Sequence, residues 1–193
     1  MQRIVVVGPT CSGKTSMARE LGRRLELPHT ELDALHWDPN WTEAPDEVFR
    51  ERAARAVAGE SWIVDGNYGA VRDLVWGRAE LVVWLDYSLP LVLWRLSRRT
   101  LGRLVRRETL WNGNRESWQT HFLTRDSLFL WLLKSYKSVR QRMLRLRAQP
   151  EYAHLEFVRL RSPRAAREWL ARMPGWRPGS GDRNPDCMRL AVV

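Results

Sequence analysis

The chain has 193 residues, of which 44% are hydrophobic and 28% charged, an ordinary globular composition with enough material for one domain and a real core. Its longest apolar runs, such as Leu128-Phe129-Leu130-Trp131-Leu132-Leu133, are too short to span a bilayer, and its two cysteines, Cys11 and Cys187, argue against a disulfide framework. The net charge of +10 has three available sources: arginines lining a site for a polyanionic substrate, a surface for nucleic acid, or an arginine-rich solvated face, and a mixture of the first and third is favoured.

The chain opens on Arg3-Ile4-Val5-Val6-Val7, a β-branched run that reads as a buried strand. Gly8-Pro9-Thr10-Cys11-Ser12-Gly13-Lys14-Thr15 follows and fits G-x-x-x-x-G-K-[ST], a phosphate-binding loop. Ser16 then leads into a helical pattern with Met17, Leu21 and Leu25 on one face. Strand, glycine loop and helix are the arrangement that phosphate binding requires. The glycines let backbone N–H groups turn toward phosphate oxygens, and the helix N-terminus adds partial positive charge. Lys14 reaches β- and γ-phosphates, and the Thr15 hydroxyl is a ligand for Mg²⁺. Residues Gly8 to Ser16 are therefore the expected nucleotide site, with ATP and Mg²⁺ as cofactors.

His29-Thr30-Glu31-Leu32 predicts a second strand ending at Asp33, and Ala34 to Pro45 a loop carrying His36, Trp37 and Trp41. Asp46 suits the N-cap of a helix running to about Ala58, closed by Gly59. Trp62-Ile63-Val64 predicts a third strand ending at Asp65-Gly66-Asn67-Tyr68, with a short helix from Val71 to Trp76. Leu81 to Leu85 predicts a fourth strand ending at Asp86. A helix follows from Pro90 to Arg107, then a polar loop from Glu108 to Glu116 and a long helix from Ser117 to Ala148. Leu155 to Leu160 predicts the fifth strand, and Pro163 to Arg172 the closing helix. The Gly- and Pro-rich stretch after it reads as a mobile tail over 173–193, whose apolar end docks on the body or on a neighbouring molecule.

Short apolar strands alternating with helices predict an α/β fold, a parallel sheet of five strands with helices on both faces. Ligands on such sheets bind at the carboxyl ends of the strands, where the phosphate loop, Asp33, Asp65 and Asp86 fall.

With these pieces in place the chain resembles small P-loop kinases of the adenylate kinase type. More narrowly, it is similar to bacterial DNA topology modulation proteins, also called adenylate kinase-related kinases. The resemblance rests on the phosphate loop, Leu32-Asp33-Ala34-Leu35-His36-Trp37 with Pro39-Asn40-Trp41, Trp62-Ile63-Val64-Asp65-Gly66-Asn67-Tyr68, Leu85-Asp86 and Arg161-Ser162-Pro163-Arg164. It implies the three-layer P-loop fold with its five strands in the order 2-3-1-4-5, a kinase domain over 1–172 with a short helical lid near 100–126, and phosphoryl transfer from ATP to a small acceptor such as a nucleotide, nucleoside or related metabolite. A nucleotide-dependent nucleic-acid regulator and an acceptor-free ATPase are the alternatives. The resemblance also implies two arginines a helical turn apart after the fourth strand, one stacking on adenine and one reaching phosphates, which fall on Arg95 and Arg99. Arg103 and Arg106 continue that row toward the lid, and Lys14, Asp33, Arg99 and Arg103 are the expected catalytic set.

The acids divide by position. Asp33 orients or deprotonates an acceptor hydroxyl, or forms a turn. Thr15, Asp65 and Asp86 are the metal candidates. Asp65 is the first choice, and Asp86 either serves the metal or caps the turn after its strand. Trp37, Trp41 and Tyr68 either stack on the acceptor or fill the lid-side core. No Cys/His spacing suggests zinc. A cytoplasmic location, a monomer or homodimer, no membrane contact and at most weak, salt-sensitive binding of nucleic acid complete the expectations.

Overall fold

The run Arg3–Val7 forms β1 at the centre of a sheet, because Ile4, Val5, Val6 and Val7 are all buried and both faces of the strand need cover. The computed structural model describes residues 2–106 and 128–173. After β1 come α1 (Lys14–Leu25), β2 (His29–Glu31), α2 (Leu32–His36), β3 (Trp37–Asp38), β4 (Thr42–Glu43) and α3 (Asp46–Ala56). Then follow β5 (Trp62–Asp65), α4 (Arg72–Trp76), β6 (Leu81–Leu85), α5 (Leu89–Arg106), α6 (Leu128–Arg147), β7 (Glu156–Leu160) and α7 (Pro163–Ala171).

The main sheet has five strands in the order β2-β5-β1-β6-β7, all pairs parallel. Counted along the chain, this is the expected order 2-3-1-4-5. Alternate side chains of the strands feed two apolar clusters. On one face Val5, Val64 and Val82 meet Phe49 and Ala53 of α3, Val75 and Trp76 of α4, and Met143 and Leu146 of α6. On the other, Ile4, Val6, Ile63 and Val83 meet Met17, Ala18 and Leu21 of α1, Val92 and Leu96 of α5, and Ala166 and Leu170 of α7. Leu132 of α6 also joins this second cluster, so one long helix contributes to both layers. None of the described helices is long and apolar enough to cross a membrane.

Several local expectations change. The segment predicted as a loop from Ala34 to Pro45 contains the end of α2 and a small antiparallel β3–β4 pair. Its turn places Asn40 at φ 62° and Trp41 at φ 56°, both left-handed. Asp33 accordingly lies in the first turn of α2 and not at a strand end, because β2 stops once Glu31 has paired with Asp65. Pro45, not Asp46, is the N-cap of α3, whose last residue is Ala56, and Asp46 sits in the first turn, where its charge favours the helix dipole. The predicted loop from Glu108 to Glu116, residues 117–127 of the predicted long helix, Arg107, Cys187 and residues 174–193 of the tail lie outside the described residues.

Candidate active site

The phosphate loop leaves β1 at Gly8, pressed against the end of β6. A Cβ added there would stand 2.8 Å from the Leu85 carbonyl oxygen and 2.8 Å from Ser12 Oγ, so this position has no room for a side chain. Gly13 is the N-cap of α1 at φ 90° and ψ 29°, a left-handed conformation that glycine adopts without a Cβ penalty. Within the loop Ser12 N–H donates to Pro9 C=O at 3.2 Å, and Cys11 takes φ 57°. Ser12 is fully buried, and its Oγ has no partner among the described residues. Lys14 opens α1, and its Nζ donates to Pro9 C=O at 3.2 Å. The first turn of α1 holds no acidic residue, so its positive pole is not offset locally. Pro9, Thr10, Cys11, Ser12, Gly13, Lys14, Thr15 and Ser16 thus run as one turn into one helix end, as their spacing implies.

Parallel pairing brings Asp65 to this loop. The register sets Asp65 beside Val6, so the end of β5 stands level with the start of the loop. Thr15 Oγ1 donates to Asp65 Oδ2 at 2.8 Å, and His29 Nε2 is 2.9 Å from Asp65 Oδ1. Asp65 is 4% exposed and both its oxygens are held. His29 had no expected role. Its signal lies in the register: Glu31 of β2 pairs with Asp65, and two residues back along a strand return to the same face. Asn67 was likewise quoted only as part of a motif. Its side chain accepts from Gly8 N–H at 3.2 Å and donates to Gly8 C=O at 2.5 Å, fixing the first peptide of the loop.

Next to Asn67, the Tyr68 hydroxyl donates to Asp33 Oδ1 at 2.6 Å. Burial, and then the neighbouring Asp33 charge, push the Tyr68 phenol well above its ordinary range, so it stays a donor. Asp33 Oδ2 has no partner among the described residues. Tyr68 packs on His36 and Phe49 at ring-centroid distances of 4.6 and 5.1 Å, and Trp37 meets Trp41 at 5.7 Å. Tyr68 therefore joins the core while its hydroxyl faces the acid, and Trp37 and Trp41 stay half-buried beside it.

Asp86 is placed differently. Arg159 donates to its Oδ2 through Nε at 2.8 Å and through its terminal nitrogen at 2.5 Å, and Arg140 Nε lies 3.2 Å from Oδ1. Two guanidinium groups engage this nearly buried carboxylate, where a metal or a cap on the following turn was the expected partner. Its ion pairs join the end of β6 to β7 and α6.

On α5, Arg95 donates to Ser12 C=O at 2.9 Å and lies 5.1 Å over the Tyr87 ring. Burial lowers the pKa of this half-buried guanidinium. Arg99 is one helical turn on, with its Nε buried and unpartnered among the described residues. Arg95 thus braces the phosphate loop directly, where a stack on adenine was expected. The side chains of Arg103 and Arg106 lie outside what is described, although both residues belong to α5.

The oxygen donors at the loop suit a hard cation that keeps water and takes phosphate oxygens, as Mg²⁺ does. The Thr15 hydroxyl and the Asp65 carboxylate already touch, and among the described residues no cluster of His, Cys, Asp and Glu forms a protein-only metal cage.

No protein-family model and no curated protein matches the chain. Solved structures do. A shikimate kinase from Acinetobacter baumannii in complex with shikimate matches at 17% identity and TM-score 0.52, over 89% of this chain and 92% of that one. A gluconokinase from Sinorhizobium meliloti 1021 matches at 19% identity and TM-score 0.51, over the same shares. An unliganded sugar kinase from Janibacter sp. HTCC2649 matches at 22% identity and TM-score 0.49, over 89% and 93%. The chain has the three-layer α/β fold of P-loop kinases.

Proposed function

We propose that the protein transfers the γ-phosphoryl group of ATP to a hydroxyl of a small acceptor, with Mg²⁺, and that the acceptor is a nucleotide, nucleoside or related metabolite. The observation that carries this reading is the bond from Thr15 to Asp65 beneath the phosphate loop, because it joins the loop's hydroxyl to a buried acid at the end of the adjoining strand. Mg²⁺, when bound, screens the charge of the phosphate oxygens. Thr15 would hold it directly and Asp65 through water, with His29 keeping the Asp65 carboxylate in place. Asp86, already held by Arg159 and Arg140, is left out of this shell.

The remaining work falls to the chain's own residues. Backbone N–H groups of the loop and Lys14 Nζ bind the β- and γ-phosphates. Arg99 neutralises oxygen charge that grows during transfer, with Arg103 the next candidate along α5. Asp33 orients the acceptor hydroxyl through Oδ2 while Tyr68 holds Oδ1. As the acceptor oxygen bonds to the γ-phosphorus, the bond from that phosphorus to the bridging oxygen breaks, ADP leaves, and the hydroxyl proton passes to Asp33. Little base strength is needed, so positioning dominates.

The test is ADP release with Mg²⁺, with and without a panel of nucleotides, nucleosides and sugars. Release that depends on one acceptor and is lost in Lys14→Ala supports the reading. Release that no acceptor raises leaves an ATPase, and equal ATP binding by wild type and Lys14→Ala sinks the phosphate-loop assignment.

A further inference from the structure

The short β3–β4 pair is anchored by α3 and by its own flanks. Arg52 of α3 donates to Leu35 C=O at 3.0 Å and to Asp38 Oδ1 at 2.8 Å, and Ala44 N–H donates to His36 C=O at 2.8 Å. The turn between the strands puts Asn40 and Trp41 in the left-handed region, a conformation that costs energy for a bulky side chain and persists only where the surroundings enforce it. Trp37 of β3 stands in this hairpin opposite Glu43. Trp41 meets its ring edge-on at 5.7 Å, and the His36 ring lies 4.9 Å from Trp37 and 4.6 Å from Tyr68. The Trp37 indole N–H donates to the Tyr68 hydroxyl oxygen. Tyr68 in turn donates to Asp33 Oδ1 at 2.6 Å. A chain of two hydrogen bonds thus runs from β3, through the loop after β5, to the first turn of α2.

A phenol oxygen carries one proton. With the Trp37 N–H on its accepting side, that proton is directed to Asp33, and each bond of such a chain polarises the next. The Tyr68 ring is also kept from swinging away, because His36 and Phe49 pack on it. We infer that Trp37 is a positioning residue for transfer: acting through Tyr68, it fixes the Asp33 carboxylate so that Oδ2 meets the acceptor hydroxyl. A phenylalanine would fill much of the same space but has no donor, so the indole N–H, and not aromatic bulk alone, is what this position supplies. The effect falls on the acceptor and not on ATP, which the phosphate loop and Lys14 hold. This assignment rests on the kinase reading above.

The first measurement needs no acceptor. In the nitrogen-15 NMR spectrum of the protein, the Trp37 indole signal is the one that Trp37→Phe and Trp37→His both remove. Tyr68→Phe is expected to shift that signal and to speed its exchange with solvent about tenfold or more. The second measurement is steady-state kinetics with the acceptor that the ADP-release panel identifies. Trp37→Phe should raise the KM for this acceptor about fivefold, the loss of one hydrogen bond, with kcat lowered less and the KM for ATP unchanged. Trp37→His keeps a ring N–H and should recover part of the loss. Trp37→Phe combined with Tyr68→Phe should be no worse than Tyr68→Phe alone, because both act through one chain, whereas two separate losses of packing would add. An indole signal indifferent to Tyr68→Phe, additive effects, or an acceptor KM that Trp37→Phe leaves unchanged overturns the inference. A panel in which no acceptor raises ADP release removes the kinase reading and the role of Trp37 with it, and the indole signal distinguishes that failure from the absence of the hydrogen-bond chain.

Discussion

The Asn67 side chain pairs with both peptide groups of Gly8, accepting from its N–H at 3.2 Å and donating to its carbonyl at 2.5 Å, across 59 positions of sequence. The start of the phosphate loop is therefore held by a residue of the neighbouring strand's exit loop. Asn67→Ala should lower stability by about 1–3 kcal/mol, since it leaves two partly buried backbone groups unpaired. ATP affinity should fall with it. Asn67→Asp should be worse, because a carboxylate oxygen would then face the Gly8 carbonyl. Urea unfolding and ATP titration of both variants check this, and wild-type behaviour in both would remove the clamp from the account.

The two buried acids should separate cleanly. Asp65→Asn should raise the Mg²⁺ concentration for half-maximal activity about tenfold. Asp86→Ala should instead leave two arginines facing an empty site and cost about 3–5 kcal/mol of stability. Mg²⁺ titration of activity and denaturant midpoints for both variants are the measurements. A shifted Mg²⁺ requirement in a well-folded Asp86 variant would return that residue to the metal shell.

Asp33→Asn should keep ATP binding but lower transfer to the acceptor by roughly 10²-fold or more. Tyr68→Phe should have a smaller effect, raising KM for the acceptor more than it lowers kcat, because Asp33 keeps its charge and loses only its orientation. Steady-state kinetics with the acceptor found in the panel decide between these outcomes.

Arg95 and Arg99 should differ in kind. Arg95 is bonded to the loop backbone, so Arg95→Ala should weaken ATP binding. Arg99→Ala should lower kcat by about 10²-fold with less change in ATP affinity, as expected of a group that acts on transition-state charge. If neither variant differs from wild type, this face of α5 is only a basic surface.

Tyr87 gives a pH prediction. Burial pushes its phenol up to about 12, against the opposing influence of Arg95. The unfolded chain releases this proton near pH 10, so the contribution is whole below about pH 10 and is lost as pH rises toward 12, at about 1 kcal/mol per unit. The hydroxyl is buried without a partner among the described residues. Tyr87→Phe should then be at least as stable as wild type at pH 8 and lose less stability at pH 11. Urea midpoints at the two pH values test both halves.

Sequence by itself determined the elements whose pattern is local. The glycine spacing from Gly8 to Thr15, the apolar strands Arg3–Val7 and Leu81–Leu85, and Pro163 at the start of α7 each carry their signal within a few residues. The strand order came with the resemblance to P-loop kinases, because alternating strands and helices alone leave several parallel orders open. What a side chain does once the strands are aligned was not local. Only the register that sets Asp65 beside Val6 and Glu31 brings His29 and Thr15 to one carboxylate. Asp65 and Asp86 read alike in sequence, each an acid closing an apolar strand. Tertiary structure separated them, because β5 ends beside the phosphate loop while β6 ends against Arg159 of β7 and Arg140 of α6.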